Sequence, residues 1–127
     1  MMTAHVTAVT VDTCLADIAR TLNVGGFGGV PVVDAEGTVV GFVSDADIME
    51  AFLVGRSADT RAVDLMSTPA VTVDEFDRTE DVMRVLREHR IHHLPVVRQG
   101  KLVGIITPSD IIRFMVEELL PIPPEVG

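Results

Sequence analysis

One pairing of hydroxyl and acid occurs twice in the chain, Ser44-x-x-Asp47 and Thr107-x-x-Asp110, each at the start of a helical stretch. A hydroxyl three residues ahead of a carboxylate caps free backbone amides, and the acid is favoured by the positive end of the helix. Pro108 fits this, because proline suits the first helical position. The same geometry can also serve a ligand. Exposed amides at a helix N-terminus attract phosphate, and a carboxylate beside them can accept both hydrogen bonds of a ribose diol. Residue types alone leave both readings open.

Ahead of the second motif stand Arg87, His89, Arg90, His92 and His93, with Lys101 beyond. This cluster suits an anionic ligand, although His89 and Arg90 read equally well as a solvated helix end favoured by the dipole. His92 and His93 are adjacent, so in a strand they would point to opposite faces and at most one would face a given pocket. The matching place ahead of the first motif is Gly25-Gly26-Phe27-Gly28-Gly29, which has no side chain able to hold phosphate. Asp45 adds a negative charge beside Ser44. The glycine run is not a dinucleotide loop, because the G-x-G-x-x-G pattern fails at Pro31 and the run leads from helix into strand. It reads as a helix C-cap and turn.

Other chemistries find little support. Cys14 is the single cysteine, so neither an intrachain disulfide nor a cysteine-based metal cage can form, and it reads as a small buried residue at a helix start. His89, His92 and His93 lack the spacing of a ligand pair on one helix face, so no metal is expected. No recognisable set of nucleophile, base and orienting group is present, and the chain is not expected to be an enzyme.

The elements that must position these residues come from a repeat. Sliding the sequence over itself by 62 to 64 residues places Val9-Thr10-Val11-Asp12 on Val71-Thr72-Val73-Asp74 and Val30-Pro31-Val32-Val33 on Leu94-Pro95-Val96-Val97. Gly41-Phe42-Val43-Ser44 falls on Gly104-Ile105-Ile106-Thr107, and Asp47-Ile48 on Asp110-Ile111. Each copy opens with a short extended stretch, followed by a helical stripe: Leu15, Ile18, Ala19 and Leu22, then Val82, Val85 and Leu86. Two runs rich in valine and isoleucine follow, 30–33 and 38–43, then 94–97 and 101–106, with hairpin turns at Asp34-Ala35-Glu36-Gly37 and Gln99-Gly100. A second helix closes each copy, over 45–54 and 108–120. The polar stretch from Gly55 to Thr60 is the connector, with a helical turn expected from Ala62 to Met66. One unit of about 60 residues buries too little surface alone, so the two halves, 1–60 and 61–127, are expected to form one compact module.

Composition narrows the function. The 127 residues carry a formal charge of −9, which disfavours nucleic acid and anionic membrane as partners, since both need a basic face. The opening residues show no signal-peptide pattern and no run approaches the ~20 apolar residues of a spanning helix, so a cytoplasmic protein is expected. Hydrophobic residues reach 47%, a surplus that subunit interfaces often absorb.

The residues Met66-Ser67-Thr68-Pro69-Ala70-Val71-Thr72-Val73, His92-His93-Leu94-Pro95-Val96-Val97 and Gly104-Ile105-Ile106-Thr107-Pro108-Ser109-Asp110-Ile111 resemble a CBS-domain pair, the tandem module named after cystathionine β-synthase. The first copy ends on the same signposts, Gly41-Phe42-Val43-Ser44-Asp45-Ala46-Asp47-Ile48. The resemblance implies an α+β or α/β fold of two βαββα repeats, packed by pseudo-twofold symmetry with two clefts between them. It implies a stand-alone regulatory module that senses AMP, ADP, ATP or S-adenosylmethionine, requires no cofactor, forms a homodimer and signals to an effector protein. In the family the aspartate contacts ribose, a role that falls on Asp47 and Asp110. Carried over by motif, the second copy's site is Ser67, Ala70, Thr72, Ile91, His92, His93, Ile105, Thr107 and Asp110. A weaker first-copy site comprises Thr10, Phe27, Phe42, Ser44 and Asp47, with His5 and Ala8 as further equivalents. The expected preference is for the second copy. The rival reading is a protein-interaction module whose clefts stay empty, docking a partner through apolar helices or the tail Pro121-Ile122-Pro123-Pro124.

Overall fold

The computed structural model describes residues 7–26 and 28–121. The chain runs β1 (Val9–Thr10), α1 (Leu15–Gly25), β2 (Gly29–Val33), β3 (Val39–Ser44), α2 (Asp45–Leu53), α3 (Ala62–Leu65), β4 (Val73–Asp74), α4 (Thr79–His89), β5 (Leu94–Arg98), β6 (Lys101–Ile106) and α5 (Pro108–Phe114). The final helix, expected over 108–120, changes pitch after Phe114 into a π-helical turn, Met115–Leu119. The result is a mixed α and β fold with two three-stranded sheets, β1-β2-β3 and β4-β5-β6.

Both sheets follow one plan. The first strand lies parallel to the second, and the second pairs antiparallel with the third. A helix makes the parallel crossover, which a tight turn could not span. A register shift falls between Val32 and Val33 in one sheet and between Val96 and Val97 in the other. In the first hairpin, Asp34 Oδ1 accepts from the amides of Glu36 and Thr38, an Asx turn. In the second, Gln99 and Gly100 both take positive φ, of 52° and 81°, as a tight hairpin turn requires.

The register corrects one sequence reading. Val9 pairs with Val32, and Val73 pairs with Val96, so Val9 corresponds to Val73 rather than Val71. The turns agree. The Thr10 amide donates to Thr13 Oγ1, and the Asp74 amide donates to Asp77 Oδ2. A V-x-V stretch shifted by two residues keeps its alternation, so periodicity could not detect the slip. Thr10 is therefore the counterpart of Asp74 in a turn ahead of a helix, and Ala8 is the counterpart of Thr72.

Each copy builds its own core. Val9, Ile18, Leu22, Val30, Val32 and Val43 form the first with Ala62, and their counterparts Val73, Val82, Leu86, Leu94, Val96 and Ile106 form the second with Ile111. A fully buried side chain such as Ile18 stabilises the fold by roughly 1.5–3 kcal/mol. Ala62, just beyond the connector, packs into the first core, and its amide donates to the Thr13 carbonyl at 2.8 Å.

The copies are joined through main chain. Phe42 of β3 pairs with Ser67 by two hydrogen bonds of 3.2 and 2.9 Å, and Val39 and Leu102 donate to Gly100 and Gly37. Gly41 permits the first contact: a Cβ there would lie 3.0 Å from the Ser67 carbonyl oxygen and strike the Met66 side chain. Among the described residues no helix is long and apolar enough to cross a membrane.

Candidate functional site

Three segments converge on a cavity of about 470 Å³, within the size range of small-molecule sites. The first is the start of α2. Ser44 Oγ accepts from the Asp47 amide at 3.2 Å, and Asp47 Oδ2 accepts from the Ser44 amide at 2.8 Å, a reciprocal capping box. The second is the stretch 67–71, held against β3 by the Phe42–Ser67 pair and bent at the cis Thr68–Pro69 peptide. The third is the turn from α4 into β5. Arg90 caps α4 with φ 52° and ψ 40°, and the chain then passes through Ile91, His92 and His93 before β5 begins.

The cavity gathers the sequence candidates in a different grouping. It is lined by Phe42, Ser44 and Asp47 together with Ser67, Ala70, Ile91, His92 and His93. The helix start thus comes from the first copy and the opposite wall from the second. Thr72, Ile105, Thr107 and Asp110, expected in the same site as His92 and His93, do not line it. The docking of residues 67–71 on β3 brings the second copy's Ser67 and Ala70 beside the start of α2. Thr10 ends β1, ahead of the turn that leads into α1, and Phe27 and His5 fall outside the described residues. Gly28, Asp45, Pro69, Val71 and Arg90 complete the lining; Arg90 was singled out only within the basic cluster and Asp45 only as a charge beside Ser44, and the other three were not expected.

Both histidines line the cavity, against the expectation that at most one would. The alternation argument requires a strand, and both residues precede β5. His93 crosses to the first copy: a Cβ on Gly28 would come within 2.9 Å of its Cε1. Gly29 likewise leaves room for the Phe42 ring, whose Cζ would be 2.8 Å from an added Cβ. The glycine run thus makes space for neighbours, while Gly26, with φ 66°, serves as the α1 C-cap.

The charges divide the cavity. Asp45 and Asp47 stand at the α2 start; Arg90 and His92 line the second copy's side, while His93 reaches over to Gly28 beside Asp45. Burial holds the His93 imidazole below its ordinary range, with the neighbouring His92 adding to this and Asp45 opposing it. The first amides of α2 are already engaged: Asp45 donates to the Gly28 carbonyl, Ala46 to Asp45 Oδ1 and Asp47 to Ser44 Oγ. With two carboxylates beside them, these amides offer no seat for a phosphate. An anion is better served at the Arg90 and histidine wall. Asp47 Oδ1 carries no hydrogen bond among the described residues and can accept from a diol.

The second capping box has the same form and different surroundings. Asp110 Oδ2 accepts from the Thr107 amide at 2.9 Å and Thr107 Oγ1 from the Asp110 amide at 3.3 Å. Asp110 is only 6% exposed, and its Oδ1 faces Arg113 at 3.5 Å. Among the described residues no group of three or more His, Cys, Asp or Glu gathers to hold a metal.

Comparison with known proteins agrees with this architecture. The chain is 32% identical to CBSX2, solved in complex with AMP, with a TM-score of 0.79 over 88% of this chain and 90% of that one. Hypoxic Response Protein I, solved with two coordinated zinc ions, gives a TM-score of 0.81 at 28% identity, covering 94% of this chain and 95% of that one. The CBS domain-containing protein YhcV of Bacillus subtilis is 31% identical over 111 residues, which are 87% of this chain and 79% of that protein. The model of the CBS domain matches residues 1–54 and again 62–117. Two sheets of one plan, two capping boxes and this double match establish that the chain belongs to the CBS-domain family as a tandem pair.

Proposed function

We propose that the chain is a non-catalytic sensor that binds an adenosine-type ligand, AMP, ADP, ATP or S-adenosylmethionine, in the cleft between its repeats. The observation that carries this reading is the cavity itself, lined by the Asp47 carboxylate and by Arg90, His92 and His93. Asp47 Oδ1 is the acceptor for the ribose diol. Phe42, Ala70 and Ile91 offer apolar contact to the base, and Arg90 with His92 or His93 meets the phosphate. The AMP complex of the similar CBSX2 supports the choice of ligand class. The absence of a required cofactor and a cytoplasmic location belong to the same reading, in which occupancy is signalled to an effector protein by a module paired with a second copy.

The rival, an interaction module with empty clefts, draws support from the exposed apolar residues of α2 and α5. A thermal-shift panel with AMP, ADP, ATP, S-adenosylmethionine and NAD separates the two. A ligand that binds only the folded state raises the melting temperature by mass action, and at 100 times its Kd stabilises by about 2.7 kcal/mol. The expected result is a dose-dependent rise with at least one adenosine ligand. No rise at millimolar concentration rejects the sensor reading. Hydrolysis of the bound nucleotide would reject the non-catalytic one.

A further inference from the structure

One titratable side chain of the cleft belongs to the second copy and sits against the first. A Cβ added to Gly28 would be 2.9 Å from His93 Cε1, 3.5 Å from His93 Nδ1 and 3.8 Å from Asp45 Oδ2. The imidazole and the Asp45 carboxylate therefore approach one point of the junction. The other charged or titratable groups of the lining are Arg90 and His92 on the same segment and Asp47 on α2. Phe42, Ser44 and the wall from Ser67 to Val71 bring none. With both imidazoles neutral, two carboxylates stand against one guanidinium, and the cavity holds an excess of negative charge. His92 is exposed, whereas His93 is half-buried. Burial holds the His93 imidazole below its ordinary range, His92 adds to this and Asp45 opposes it, so in the free chain the ring is uncharged at pH 7.5.

We infer that the cleft takes a phosphate-bearing nucleotide together with one proton from solvent, which His93 holds between Asp45 and the phosphate. This rests on the adenosine-type ligand proposed above and adds acidity as a second input to the same site. A phosphate brought to Arg90 adds negative charge to a cavity that already has an excess of it. The first amides of α2 are engaged and cannot offset that charge. A titratable group in a water-poor site answers an uncompensated charge by changing its protonation, and two anions flanking an imidazole favour its charged form. His93 responds more than His92, because its half-burial leaves it less screened by solvent. The proton then sets an imidazolium of the second copy against a carboxylate of the first, and acidification tightens nucleotide binding.

Calorimetric titration with AMP at pH 7.5, 7.0 and 6.5, each in two buffers of different ionisation enthalpy, counts the protons taken up. The wild type should take up as much as one proton per AMP. Its Kd should fall by about three- to tenfold over that range, tenfold per pH unit being the limit for one linked proton. His93→Gln should lose the uptake and the slope. The phosphate's own ionisation, near pH 6, is common to both proteins, so their difference belongs to His93. Asp45→Asn should bind AMP several-fold more tightly at pH 7.5, as repulsion is relieved, and with a shallower slope. Adenosine, which lacks the phosphate, should bind without uptake. AMP bound without a proton, uptake undiminished in His93→Gln, or equal uptake with adenosine overturns the inference and leaves the ligand assignment standing. Where His93→Gln does not bind AMP, the Asp45→Asn slope decides, and an unchanged slope overturns the inference. A wild type that binds neither AMP nor adenosine removes the ligand assignment, and the inference with it.

Discussion

The starts of α2 and α5 carry the same capping box, with hydrogen bonds of 2.8 to 3.3 Å, yet only the first borders the cavity. At α2 the far wall is supplied by residues 67–71 and 90–93 of the other copy. At α5 the carboxylate is enclosed, 6% exposed and turned to Arg113. A local motif therefore specifies a helix start and nothing about what stands opposite. The site is made by the junction between the copies, and the chemistry of a helix start depends on which neighbour the junction brings to it.

The largest expected effect comes from removing that neighbour. Gly41→Ala forces a Cβ into Met66 and the Ser67 carbonyl, and should destabilise the chain by about 1–3 kcal/mol in thermal unfolding. The same variant should lose nucleotide affinity, because the wall formed by 67–71 no longer seats on β3. Wild-type stability and affinity would break the comparison at its root.

Next in size is the contrast between the two aspartates. Asp47→Ala should weaken nucleotide binding at least tenfold by calorimetric titration, about 1.4 kcal/mol, while Asp110→Ala leaves the affinity within about twofold. Asp110→Ala should still lower stability by about 1 kcal/mol as its capping box is lost. Equal losses of affinity in both would show that the helix starts are not functionally distinct.

A smaller effect sharpens the contrast at the helix ends. Arg90 holds φ 52° where the first copy places Gly26 at φ 66°. Arg90→Gly should raise stability by about 0.5–1 kcal/mol, since glycine adopts this conformation without strain. It should also lower affinity for a phosphate-bearing ligand. A gain in stability with unchanged affinity would remove Arg90 from the anion wall.

The smallest effect is on pH dependence. Because His93 is held below its ordinary value of 6.5, the folded chain binds fewer protons there than the unfolded chain. The stability this provides is complete above about pH 6.5 and is lost as pH falls through the lowered folded value. Denaturant melts from pH 7.5 to 5 should show the decline, and His93→Gln should flatten it. An unchanged slope in the variant would place the titration elsewhere.

Much of the fold was legible because it rests on periodicity. Leu15, Ile18 and Leu22 mark one buried helix face, and both hairpins follow from valine-rich runs broken by turn residues. The slip of Val9 onto Val71 escaped detection because a two-residue shift leaves a V-x-V pattern unchanged. The membership of the site was harder still. Ser67, Ala70, His92 and His93 were recognised by motif, but contact between copies leaves no period in the sequence, so nothing there grouped Asp47 with them. Arg90 carried a signal only through its place beside His92 and His93; nothing in the sequence showed that it takes the left-handed backbone that Gly26 takes in the first copy.

The two apolar cores have no residue in common, and main-chain pairing at Phe42 with Ser67 and around Gly37 and Gly100 runs between the sheets that carry them. In native-state hydrogen exchange such halves open as separate cooperative units. Amides around Ile18 and around Val82 should then report two distinct opening free energies in the free chain. A ligand touching Asp47 and His92 spans both halves, so its binding should draw those two energies together, and on the sensor reading proposed above that convergence of protection would be the physical form of the signal.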